Sequence, residues 1–190
     1  MKNFNYHSAK DSKEASKLSS SNSAFLAGGM TTIPSMKLGL ASYKDLIDIK
    51  NIKKLSGIKV SGKSVTIGAT TKHVEVANSK EVKKAIPSLA NLAEGIGDPQ
   101  VRNRGTIGGS VANNDPSADY PSACIALNAT IHTSDRKIEA SKFFKGMFET
   151  ALKKGELIEA IEFQIPEKSS YQKHPNPASR YAVVGVYVAK

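Results

Sequence analysis

Apolar residues along the chain repeat with two periods, and the places where one gives way to the other mark the elements. Phe4-Asn5-Tyr6 reads as a short strand, and Asp11-Ser12-Lys13-Glu14 has the form of a capping box before a helix with Ala15 and Leu18 on its apolar face. Ala24-Phe25-Leu26-Ala27 predicts a strand that runs into Gly28-Gly29. Pro34 to Gly39 reads as irregular, and Asp45-Leu46-Ile47-Asp48-Ile49 as a buried strand. From Gly57 to Ala69 the pattern alternates, with Ile58 and Val60, a polar Ser61-Gly62-Lys63-Ser64, then Val65 and Ile67, which predicts a β-hairpin. Helical spacing follows. Thr71 is placed to cap a helix through Asn78, Val82 to Ile86 forms a second before Pro87, and Ser88 to Gly95 turns Leu89, Leu92 and Ala93 inward.

Beyond a long glycine-bearing loop, Asp119 stands as N-cap to an apolar helix containing Ala123, Ile125, Ala126 and Leu127. Ala129–Thr133 with Arg136–Ile138 predicts another hairpin, and Ile161, Phe163 and Ile165 mark a strand stopped by Pro166. Tyr171-Gln172-Lys173 and Tyr181 to Val188 are the last strand candidates. The second has little charge and only two residues after it, so it is expected to be an exposed, association-prone edge.

Composition narrows the function classes. With 190 residues, 39% of them hydrophobic, the chain can build one sizeable domain or two small ones. The net charge of +10 raises the question of nucleic acid. Lys50, Lys59, Lys83, Lys84, Lys153 and Lys154 fall in different elements without interleaved aromatic residues, so the charge reads as solvated surface and no nucleic-acid partner is expected. The single Cys124 excludes an internal disulfide, a Cys-only zinc site and an iron–sulfur cluster held by this chain alone. His7, His73, His132 and His174 lack metal-ligand spacing, so no metal site is expected. No apolar run reaches membrane-spanning length and Met1 to Asn22 has no signal-peptide core, which predicts a cytoplasmic protein without a transmembrane segment.

The candidate chemistry lies between Asp98 and Asp119. Gln100-Val101-Arg102-Asn103-Arg104-Gly105-Thr106-Ile107-Gly108-Gly109-Ser110 gathers two arginines, three glycines and small hydroxyl residues into one stretch. Two readings stand: a glycine bulge in a tight turn, or an anion cradle in which backbone N–H groups turn toward a phosphate. On the second reading a β-branched residue at Gly108 would crowd the phosphate. A competing motif is Gly57 through Ser64, which fits Gly-x-x-x-x-Gly-Lys-Ser letter for letter. A working P-loop opens a helix at Lys-Ser, whereas Val65-Thr66-Ile67 alternates as a strand, so nucleotide hydrolysis is disfavoured.

Ala27-Gly28-Gly29 with Pro34-Ser35-Met36-Lys37-Leu38, then Gln100 to Ser110, then Asp115-Pro116-Ser117-Ala118-Asp119, resemble in the same order the signatures of the FAD-binding, or medium, subunits of molybdenum hydroxylases such as carbon monoxide dehydrogenase and xanthine dehydrogenase. The resemblance runs from Phe4 to the last residues. It implies an α+β, two-lobed FAD-binding domain of the PCMH or molybdopterin dehydrogenase type, with lobes at 1–55 and 56–166. It also implies that 167–190 is a linker and the truncated start of a C-terminal domain. Leu26, Ala27, Gly28, Gly29, Met30, Thr31 and Thr32, with Thr106, Ile107, Gly108, Gly109 and Ser110, would bind the FAD pyrophosphate. Asp119 would lie near sugar hydroxyls, and Lys173 falls where such subunits place a flavin-proximal lysine. Met30 stands where that family often carries a polar side chain, which leaves the backbone as the contact there. The implied activity is electron transfer from an iron–sulfur small subunit through FAD to an acceptor, with substrate oxidised on a molybdopterin-binding large subunit. No residue of this chain is then a catalytic acid, base or nucleophile. The alternative from another class is a truncated, non-catalytic assembly module that binds partner subunits without retaining FAD.

Overall fold

The computed structural model describes residues 1–190. Strand β1 (Asn5–Ser8), helix α1 (Ser12–Leu18), strand β2 (Ser23–Leu26), helix α2 (Thr32–Lys37) and strand β3 (Asp45–Asp48) build a parallel sheet of order β1-β3-β2, with Asn5 and Ser23 both in register with Asp45. Asp11 caps α1 by accepting the Glu14 N–H at 2.8 Å, while Glu14 reaches back one residue further than a capping box requires, to the Lys10 N–H at 2.7 Å. Ala15, Ile47, Ile49 and Leu157 belong to a buried cluster of seven residues that joins this sheet to the rest of the chain.

The irregular reading of Pro34 to Gly39 is corrected, because α2 covers Thr32–Lys37 and buries Met36. Pro34 does not break it. It stands in the first turn, where N–H groups have no partner within the helix, so the missing donor is tolerated there.

Strands β4 (Ile58–Ser61) and β5 (Ser64–Gly68) form the expected hairpin, with Gly62 at φ 58° in its turn. Ser64 opens a strand, so the residues of the P-loop expression lie along a β-turn-β unit with no helix behind them. Helices α3 (His73–Asn78), α4 (Lys80–Ala85), α5 (Pro87–Glu94), α6 (Pro99–Arg102), α7 (Ile107–Asn113) and α8 (Tyr120–Ala126) come next. Thr71 does not cap α3. Its hydroxyl accepts the Gly57 N–H at 3.0 Å and donates to the Gly57 carbonyl at 3.2 Å, and the Glu75 carboxylate instead accepts the Lys72 N–H at 2.6 Å.

Strands β6 (Thr130–Thr133) and β7 (Lys137–Glu139), helix α9 (Ala140–Phe143), the short hairpin β8 (Phe144–Gly146) and β9 (Glu149–Thr150), and strand β10 (Ile158–Gln164) follow. They complete an antiparallel sheet of order β4-β5-β10-β6-β7. In β10, Ile161 and Phe163 are fully buried while Glu162 turns the other way to meet His132 at 2.8 Å. The buried face continues through Val65, Ile67, Leu89, Leu92, Ile107 and Tyr120 into one 26-residue core. Each fully buried large aliphatic or aromatic side chain there contributes about 1.5–3 kcal/mol.

Strands β11 (Ser169–Pro175) and β12 (Ala182–Ala189) form a separate antiparallel pair. The expectation of an uncovered last strand is corrected on one side, since β11 pairs with it and Tyr187, hydrogen-bonded to Ser88 at 2.5 Å, is buried in the core. Val184, Val186 and Val188 on the other face are exposed. No helix is long and apolar enough to cross a membrane, and no three His, Cys, Asp or Glu side chains gather closely enough to hold a metal ion.

Candidate functional site

Stretches far apart in sequence converge on one cleft of about 510 Å³. Ala27 to Thr32, between β2 and α2, line one part of it, and Gly105, Thr106, Gly108, Gly109 and Ser110 another. The two glycine segments touch each other. A Cβ on Gly28 would lie 2.1 Å from the carbonyl oxygen of Arg104 and 2.9 Å from the Cα of Gly105, so this approach is open only to glycine. Gly29 adds a left-handed turn at φ 74°.

The hydrogen-bond donors differ sharply between the segments. The N–H groups of Gly28, Gly29, Met30 and Thr31 make no hydrogen bond within the chain, which leaves a run of free donors in a segment that lines the cleft. In the second segment the donors are committed inward: Ile107 N–H to Thr71 O at 3.0 Å, Gly108 N–H to Ala69 O at 2.9 Å, and Gly109 N–H to Thr106 Oγ1 at 3.2 Å. The expectation of a backbone nest there is therefore corrected. These residues are the first turn of α7, bonded to the segment Ala69 to Thr71 that follows β5, and they offer the cleft hydroxyls and a bare glycine surface.

Gly108 and Gly109 consequently have separate roles. A Cβ on Gly108 would fall 2.5 Å from the Cβ of Ala69, so its smallness serves packing between α7 and the sheet and not room for a phosphate. Gly109 is exposed, and a Cβ there would meet only the Thr106 Oγ1 at 2.9 Å.

Of the remaining expected residues, Ile107 is fully buried in the core and Leu26 ends β2, its carbonyl accepting the Ile49 N–H at 3.0 Å; neither lines the cleft. Asp119 does line it, yet its carboxylate is not a helix cap. It accepts the Tyr171 hydroxyl proton and holds Lys173 Nζ at 3.0 Å, and Lys173 also donates to the Gly95 carbonyl at 3.0 Å. Burial, with Asp119 beside it, pushes the Tyr171 hydroxyl pKa up. Lys173 thus stands one residue behind the cleft and ties β11 to the start of α8.

Sequence reasoning missed several lining residues because nothing local marks them. His73 is buried, and burial, helped by the Arg102 charge, lowers its pKa to about 4, so the ring is neutral at pH 7. Its Nδ1 and the Tyr120 hydroxyl, on rings 5.5 Å apart, have no hydrogen-bond partner. Ser179, Arg180 and Tyr181 reach the cleft from the β11–β12 turn.

Glu156 is the other unanticipated group. Burial alone would raise its pKa, but hydrogen bonds from Arg136 Nε at 3.0 Å, the Thr133 hydroxyl at 2.6 Å and the Lys153 N–H at 2.8 Å outweigh this and bring the carboxyl from 4.5 to about 2. A depressed carboxylate pKa contributes stability that is present above the unfolded value and is lost as the pH falls through the folded one. The stability gap between wild type and Glu156→Gln should therefore be widest above about pH 5 and close toward about pH 2. Urea midpoints across that range check it; a gap independent of pH would rule the ion pair out as its source.

Residues 2–167 match the family described as the FAD binding domain in molybdopterin dehydrogenase. The chain is 39% identical over 194 residues to the glyceraldehyde dehydrogenase medium chain of Sulfolobus acidocaldarius, covering 98% of this chain and 69% of that one. It is 36% identical over 197 residues to the carbon monoxide dehydrogenase medium chain of Hydrogenophaga pseudoflava, covering 97% and 68%. Among solved structures, carbon monoxide dehydrogenase from the latter organism superposes with a TM-score of 0.92 at 36% identity, over 97% of this chain and 68% of that one. Quinoline 2-oxidoreductase from Pseudomonas putida 86 superposes with a TM-score of 0.93 at 28% identity, over 97% and 67%.

Proposed function

The chain belongs to the family of FAD-binding domains of molybdopterin dehydrogenases, and from that membership we propose that it is the electron-transfer subunit of a molybdenum-containing dehydrogenase, taking electrons from an iron–sulfur small subunit and passing them to an acceptor such as a quinone or NAD. FAD is its cofactor. When bound, FAD supplies the redox chemistry, and the protein supplies binding, orientation and electrostatics. Substrate is oxidised on a separate molybdopterin-binding large subunit, in the cytoplasm, a reducing setting that suits the single buried Cys124 thiol.

The observation that carries this reading is the run of four free N–H groups from Gly28 to Thr31 set against Gly109 and the hydroxyls of Thr106 and Ser110. Such an arrangement fits a diphosphate: amide donors on one side, and on the other a glycine surface that a side chain would fill. In this reading the lobe at 1–55 brings Ala27 to Thr32, the lobe at 56–166 brings Thr106 to Ser110, and Asp119 and Lys173 orient the wall nearest the sugar hydroxyls. No side chain is asked to move a proton.

Apoprotein titrated with FAD and with FMN tests it. FMN carries one phosphate and no adenosine, so it forfeits at least two charge-assisted hydrogen bonds of about 1.5–3 kcal/mol each, and FAD should bind about 100-fold more tightly or better. Equal affinities for the two flavins would remove the diphosphate assignment.

A further inference from the structure

Outside the cleft, the exposed valine face of β12 is one apolar surface, and the tip of the β8–β9 hairpin is a second, smaller one. The β8–β9 hairpin turns at Met147 and Phe148, whose side chains are 75% and 60% exposed. Phe148 has a φ of 57°, a backbone conformation that a bulky L-residue seldom adopts unless its surroundings impose it. Asn114 imposes it. Its side-chain amide donates to the carbonyls of Gly146 at 2.7 Å and Glu149 at 2.9 Å, and its own carbonyl accepts the Phe148 N–H at 3.0 Å. Asn114 is also the left-handed C-cap of α7, at φ 45°. The tip is therefore splinted to the helix that carries Gly109 and Ser110. On its other side the chain reaches Leu152, a lining residue of the cleft, four residues after Phe148. An extended chain spans at most about 3.6 Å per residue, so the tip stands within about 14 Å of that lining.

We propose that Met147 and Phe148 form the contact through which the iron–sulfur subunit docks, an inference that rests on the electron-transfer reading above. A projecting tip cannot enclose a small molecule, which needs a concave site. Two apolar side chains on an immobilised backbone suit a protein partner, because they fill a pocket with little further ordering. Lys145, Lys153 and Lys154, close by in sequence, are exposed and take part in none of the chain's ion pairs, against one such acidic neighbour, Glu149. The tip therefore sits in a surface of net positive charge that an acidic rim on the partner would complement. Proximity to the cleft selects the electron donor among the subunits, since electrons pass only over short separations.

Co-expression of the full chain with its iron–sulfur subunit, followed by measurement of their association and of FAD bound per chain, tests the proposal. Met147→Ser with Phe148→Ser should weaken the association about tenfold or more and leave bound FAD unchanged. Leu38→Ser with Leu40→Ser, at positions 74% and 79% exposed elsewhere on the surface, should leave both readings within about twofold of wild type. If the double serine variant folds poorly, Phe148→Gly removes the ring while suiting the left-handed backbone, and the same loss of association is expected. Association at wild-type strength in these variants overturns the docking site and leaves the electron-transfer reading standing. Loss of self-association in place of subunit binding also overturns it, making the tip a contact between copies. A wild-type chain that binds neither FAD nor the iron–sulfur subunit removes both readings.

Discussion

Gly28→Val is expected to give a protein that retains no FAD and is destabilised by about 3 kcal/mol or more. The Cβ would sit 2.1 Å from the oxygen and 2.7 Å from the carbon of the Arg104 carbonyl. Both are backbone atoms, so no rotamer change relieves the overlap. Relief requires the loop of free amides to part from the 104–105 backbone, and that separation opens the cleft. Gly109→Val is the informative companion. Its new Cβ presses on the Thr106 hydroxyl that caps α7 and otherwise enters the cleft, so it should cost about 1 kcal/mol, well short of Gly28→Val, while losing cofactor. Urea unfolding and flavin absorbance after purification read the two effects apart. A Gly28→Val chain that purifies yellow with an unchanged midpoint would show that the segments do not need this approach.

The second large effect is expected at Asp119. Alanine there leaves Lys173, whose side chain is only 9% exposed, without its counter-ion and takes away the acceptor of the Tyr171 hydroxyl. Breaking a buried pair from one side costs about 3–5 kcal/mol, chiefly because the remaining charge is stranded. Asp119→Ala should thus lose about 3 kcal/mol, and adding Lys173→Ala should cost less than its own single effect, with a coupling above about 1 kcal/mol. A double-mutant cycle by chemical denaturation measures this. Strictly additive losses would mean that Asp119 and Lys173 do not depend on each other for stability.

Much of this architecture could be read from residue order because it rests on local signals. The Ile58-to-Ile67 alternation fixes β4 and β5, the Asp11 and Glu14 spacing starts α1, and Gly28-Gly29 marks the end of β2. Where the reading failed, a distant partner had taken over a local group. Thr71 has the chemistry of a cap, but Gly57 occupies its hydroxyl, and Asp119 stands at a helix start with its carboxylate drawn to β11. The glycines at 108 and 109 look equivalent as letters. Only the position of Ala69 separates the one that packs from the one that faces the cleft. Strands β8 and β9, of three and two residues, are too short to carry any periodicity. His73 and Glu156 reach the cleft through tertiary contacts between segments that no spacing links.

The approach of Gly28 to Arg104 also sets how freely each position can vary. Gly28 meets the carbonyl of residue 104 and not its side chain, so the restriction it creates runs in one direction. Position 104 can change to any residue its turn accepts, because whatever replaces the arginine presents the same carbonyl. Position 28 has no such freedom, since every alternative to hydrogen strikes that oxygen. Substitution at 104 is therefore a matter of surface charge, while substitution at 28 decides whether the cleft exists.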